Sequence, residues 1–228
     1  MKTALRLMPV SIGGLAVFGE VVLALAFVVG VARGLFFLAQ EMGLALDPQL
    51  LSAAGWLIAA AILIQWNEGS RRAYGLTLSN WRLDLKWTLL AGSFALPFAL
   101  IWGAWATHQS FSAPSPSFEF WLSVAFVQIF FVGAPEEIFF RGPVQGLMNR
   151  VFPNRYLIFG VPCGAGLIVA AVLFGLAHVL TEGSWERAIV VVPALLFGWL
   201  RERTGSVLAP ALVHGVSNAA LLMASASF

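Results

Sequence analysis

Apolar runs of about twenty residues follow one another along this chain, separated by short polar stretches, and none alternates with period two. At about 1.5 Å per residue such a run makes a helix about 30 Å long, the depth of a bilayer's hydrocarbon core. The pattern predicts seven spans, at roughly 9–38, 50–66, 86–107, 119–149, 158–181, 187–201 and 206–226. The fourth is too long for a straight crossing and is expected to tilt or to break near Gly133 and Pro135. Lys2 and Arg6 ahead of the first run resemble a signal peptide. That run continues to about Ala39, however, longer than a signal core of about 7–15 residues, and it reads as the first span. Asn67–Lys86 has room for an interfacial helix anchored by Trp81 and Trp87.

Composition agrees with a bilayer as the solvent. Of the 228 residues 60% are hydrophobic and 11% charged, against about 25% charged in a soluble domain. With no water to satisfy the backbone, the remaining choices are helices or closed barrels, and the run lengths select helices. The nine Trp and 19 Phe suit interfacial belts and lipid-facing surface. Cys163 lies in an apolar run and reads as a small buried residue.

The net charge of +2 is not gathered into a block, so nothing suggests nucleic acid. Lys and Arg sit before span one (Lys2, Arg6), between spans two and three (Arg71, Arg72, Arg82, Lys86), after span four (Arg150, Arg155) and after span six (Arg201, Arg203). The alternate loops carry Glu41 and Asp47, then Thr107–Phe118 without Lys or Arg, then Glu182, Glu186 and Arg187. That asymmetry fits an N-terminus in the cytoplasm, and a bacterial-type cell membrane is the expected location.

Ionisable groups inside a membrane cost several kcal/mol unless paired, so each is a functional candidate. Glu136 and Glu137 lie in apolar surroundings, with Arg141 four residues after Glu137. On a helix Glu137 and Arg141 share a face and can pair, while Glu136 is turned about 100° away. The competing reading is that Pro135 starts a helix and the two carboxylates complement its dipole. Phe174 and His178 are again four apart, as are His214 and Asn218, with Gly215 permitting close approach of another helix. A lone intramembrane histidine can simply bond a neighbouring carbonyl, but here three spans each bring polar groups that need partners. His108 falls in a loop and reads as solvated.

A carboxylate within reach of a water can act as general base, and imidazole or amide groups can position the water or stabilise an oxyanion. Two histidines and a glutamate also match the ligand set of a catalytic zinc, so a divalent metal on Glu136, His178 and His214 stays open. The His-Glu-x-x-His spacing is absent, and Ser217 has no Gly-x-Ser-x-Gly elbow. Buried Glu and His would equally serve a proton-coupled transporter.

Glu136-Glu137-x-x-x-Arg141, Phe174-x-x-x-His178 and His214-x-x-x-Asn218, in that order, resemble the three motifs of the CPBP family. That family comprises the CAAX prenyl endopeptidases of the Rce1 type and bacterial Abi-type membrane proteins. Arg203-Thr204-Gly205-Ser206 and Pro210 are also similar to its pattern. The resemblance implies an intramembrane endopeptidase of about eight helices, hence an all-α polytopic bundle of seven to eight spans. It implies that Glu136 activates water, that His178, His214 and Asn218 complete the site, and that Glu137, Arg141 and Phe174 support it. The substrate would be a membrane-bound or lipidated protein or peptide. A non-enzymatic immunity or scaffold protein is the other role the family suggests. Residues 1–118 would supply spans and an interfacial loop, and 119–228 the catalytic core. Pro143, two residues after Arg141, is expected to perturb its helix.

Overall fold

The computed structural model describes residues 12–43, 48–67, 70–107 and 117–225; the expectations for Lys2, Arg6, Asp47 and His108 fall outside them. The chain is a helical bundle. Its first three helices are α1 (Ile12–Glu41), α2 (Pro48–Trp66) and α3 (Trp81–Thr107). A 34-residue helical run, α4 (Phe118–Val151), follows. Then come a two-stranded hairpin, β1 (Arg155–Ile158) and β2 (Val161–Gly164), and α5 (Ala165–Glu182). A 3-10 turn (Trp185–Val190) leads into α6 (Val191–Thr204), and α7 (Leu208–Ser225) closes the chain.

Five of these helices, α1 to α5, are long and apolar enough to cross a membrane by length and composition. The expected seven spans are therefore not all of spanning length: α6 has 14 residues, and α7 is a shorter apolar helix. The expected fifth span, 158–181, begins too early. Residues 155–164 pair instead as an antiparallel hairpin, with Arg155 opposite Gly164 and Ile158 opposite Val161. The helix starts only at Ala165. The hairpin turn uses positive φ at Phe159 (48°) and Gly160 (75°), the conformation a two-residue loop requires. Nor do residues 70–80 form an interfacial helix; they run as turns to α3, which begins at Trp81. Trp87 packs edge-on against Trp199, ring centres 5.1 Å apart.

The long fourth segment is one helical run with wide, π-type turns at Gln128–Gly133 and Phe140–Val144. Its break lies at Gly142, whose ψ of −105° leaves the helical region, next to Pro143. Pro135 meanwhile sits inside the run, at the start of a regular turn. The main core gathers Val21, Leu25 and Val28 of α1, Trp56 and Ala60 of α2, Phe139 and Phe140 of α4, and Phe174 of α5. α7 lies along α3 and against the first π-type turn. Cys163 is free and buried, as its apolar surroundings suggest.

Candidate active site

Three helices meet where the sequence places its polar groups. Glu136 and Glu137 come from α4 between its two π-type turns, His178 from α5 one turn before its end, and His214 from α7. Glycine makes the approach of α4 to α7 possible. A Cβ on Gly215 would stand 2.4 Å from the Ile129 Cα, and one on Gly133 would stand 2.9 Å from the Gly215 amide nitrogen. The backbones therefore touch, as small residues allow between membrane helices. α7 itself starts from a tied turn. Gly205 ends α6 with a φ of 72°, Ser206 Oγ accepts from the Leu208 amide at 3.0 Å, and the Val207 amide donates to the Gly75 carbonyl at 3.0 Å.

The two glutamates point apart. Glu137, fully buried, meets Arg141 Nε at 3.0 Å through Oε2 and His214 Nδ1 at 3.1 Å through Oε1. Arg141 is also fully buried; it donates to the Ala194 carbonyl at 3.2 Å and lies over the rings of Phe174 (5.1 Å) and Phe197 (5.7 Å). Pairing through hydrogen bonds and ring faces is what permits an ion pair at this burial. Glu136 is held differently. Its Oε2 has no hydrogen-bond partner in the protein and faces His214 Nε2 at 3.8 Å and His178 Nε2 at 4.0 Å.

Each imidazole is oriented through its other nitrogen. His178 Nδ1 lies 3.0 Å from the Phe174 carbonyl oxygen, and His214 Nδ1 bonds Glu137. Both arrangements turn Nε2 toward Glu136, the same logic by which an outer carboxylate or carbonyl sets a histidine's tautomer. Phe197 stacks on His214 with ring centres 4.9 Å apart and an angle of 17° between planes. Phe174 touches both histidine rings. Asn218 lies half-buried one turn beyond His214 and enters none of these bonds. Phe197 was not legible in the sequence, since nothing in Leu195-Leu196-Phe197-Gly198 distinguishes it from a lipid-facing residue.

Donor types alone would allow a metal on Glu136, His178 and His214. A zinc with ligands at about 2.0–2.2 Å holds them about 3.3 Å apart, closer than the 3.8 and 4.0 Å observed. Among the described residues no group of three His, Cys, Asp or Glu is placed to hold an ion. The same gaps do admit a water that donates one hydrogen to Glu136 and the other to an unprotonated Nε2.

An apolar helical bundle with five helices long and apolar enough to cross a membrane defines an integral membrane protein. Residues 117–220, a little under half of the chain, match the family described as type II CAAX prenyl endopeptidase Rce1-like. The family is one of hydrolases that cleave protein substrates in membranes. Neither a curated protein nor a solved structure matches the chain.

Proposed function

We propose that the protein is a glutamate-dependent intramembrane endopeptidase in which Glu136 activates a water held between His178 and His214. The observation that carries this reading is the bare Oε2 of Glu136, buried and facing both Nε2 atoms at 3.8 and 4.0 Å. Glu136 takes a proton from the water as its oxygen bonds the scissile carbonyl carbon, giving a tetrahedral oxyanion. One N–H of the Asn218 side-chain amide donates to that oxyanion. The proton on Glu136 then passes to the leaving amine as the C–N bond breaks, which restores the carboxylate. Glu137 and Arg141 keep His214 in register, and Asn218, on the same face of α7, supplies an amide to the substrate backbone. No step needs a metal.

The family name and the apolar surroundings support, as substrate, a membrane-associated, lipidated protein or peptide cleaved near its C-terminus. The N-terminus lies in the cytoplasm, which puts the turns at 70–80, the hairpin and the α6–α7 turn on the inner side. The test uses protein in nanodiscs and a farnesylated C-terminal peptide. Glu136→Gln is expected to lose about 10²–10⁴-fold in cleavage rate while accumulating and eluting as the parent does. Cleavage retained by that variant would remove Glu136 from the role. Cleavage that chelator abolishes and zinc restores would replace the water reading with a metal one.

A further inference from the structure

Arg201 and Glu202, adjacent in the last turn of α6, grip α4 on both sides of its break. Before the break, Arg201 Nε donates to the Arg141 carbonyl at 3.2 Å. After it, Glu202 Oε1 accepts from Gln145 Nε2 and from Asn149 Nδ2, each at 2.7 Å. Gln145 Nε2 also donates to the Gly198 carbonyl at 3.0 Å. Arg201 Nη2 donates to the Ala73 carbonyl at 3.0 Å, and Arg155 approaches Glu202 Oε2 at 3.5 Å from the base of the hairpin. Both side chains are largely buried, at 11% and 8% exposure, and they meet each other at 3.6 Å.

The break needs such a grip. Pro143 offers no N–H to the helical ladder, and Gly142 has left helical dihedrals, so the backbone alone does not fix the bend. Glu136 lies six residues before Gly142, about 9 Å along the helix. A change of about 10° at the break would thus move Glu136 by more than about 1 Å, a displacement that can cost about 100-fold in rate. Neither Arg201 nor Glu202 contacts Glu136, His178 or His214. We infer that Arg201 and Glu202 are positioning residues that set the angle of the α4 break and so aim Glu136 at the two histidines. The inference rests on Glu136 being the base.

The test pairs a distance with a rate. Spin labels at Phe130→Cys and Asn154→Cys, both exposed, bracket the break in a Cys163→Ala background. Arg201→Ala and Glu202→Ala are expected to shift or broaden the label-to-label distance in nanodiscs. Cleavage of the farnesylated peptide should fall about 10- to 100-fold in kcat, with KM within about threefold. Glu202→Gln keeps an oxygen for Gln145 and Asn149, and should retain the parent distance and most of kcat. If an alanine variant fails to accumulate, Arg201→Lys, which keeps the charge without the fork of donors, takes its place. An unchanged distance distribution in the Arg201 and Glu202 variants overturns the inference, as does a rise in KM with kcat intact. Failure of the parent to cleave would instead sink the protease reading and leave the distance result standing.

Discussion

Adjacent glutamates with different surroundings have different consequences when removed. Glu137 sits between Arg141 and His214 with no exposed surface, so Glu137→Ala leaves a buried guanidinium without its counter-charge. Breaking a buried pair from one side costs about 3–5 kcal/mol, and Glu137→Ala should lower the melting temperature sharply in detergent. Glu136→Ala removes a carboxylate whose Oε2 bonds nothing in the protein, so its melting temperature should stay near the parent's. Equal thermal losses in the two variants would contradict the division of roles. The i, i+4 spacing of Glu137 and Arg141 made their pairing readable in advance, and their common face left Glu136 to point elsewhere. Phe197 was not readable, because an aromatic that stacks on a histidine looks like any other aromatic until the helices are assembled. Cys163 offers a separate check outside the spanning helices. Burial, then the nearby Glu202 carboxylate, pushes its thiol up from its ordinary value, with Arg155 opposing. Raising the thiol pKa lowers the thiolate fraction at neutral pH, so maleimide labelling of the folded protein should be slow at pH 7.5. It should still be accelerating above pH 9, and fast labelling at neutral pH would mean that the hairpin is open.

Among the helices, the contact of α4 with α7 is the tightest constraint on the site. Gly215→Ala would place a methyl 2.4 Å from a backbone carbon that no rotamer change can move, so the two helices must separate. Cleavage should fall with it, and thermal stability should drop by several degrees. Gly92→Ala on α3 meets nothing within 4 Å and gains helix propensity, so it should leave both unchanged or slightly raise stability. A Gly215→Ala protein as active and stable as the parent would show that the backbones are not in contact. Periodicity and run length made most of the helices legible, including the excessive length of α4. They could not separate the hairpin from α5, because Tyr156-Leu157-Ile158-Phe159 is as apolar as the helix that follows. α5 itself begins seven residues later than expected and runs one turn past His178 to Glu182. The break moved from Pro135 to Gly142 for a related reason. A proline early in a regular turn costs little, whereas Pro143 follows a glycine free to leave the helix.

Across the whole molecule, the family match covers residues 117–220, yet the helices that bear the site do not enclose their own core. Phe139 and Phe140, the turn after the two glutamates, close on Trp56 of α2 with ring centres 4.9 and 5.1 Å away. α3 lies along α7, and Arg33 of α1 donates to the Leu180 carbonyl near the end of α5. The last carbonyls of a helix have no partner of their own, so this bond ties the first helix to the one that carries His178. The first half was legible as spans and anchors only, because its contribution is packing area, which no motif announces. It follows that the segment 117–228 produced alone should fail to accumulate in membranes or should be degraded, since it would expose the Phe139–Phe140 face to lipid without α1 and α2. Co-production with the segment 1–116 should restore accumulation, co-purification of the two pieces and cleavage of the farnesylated peptide. Stable, active 117–228 on its own would show that the site needs no support from the first three helices. Accumulation without cleavage, reversed by adding 1–116, would show that the first half acts on the geometry of the site rather than on its survival.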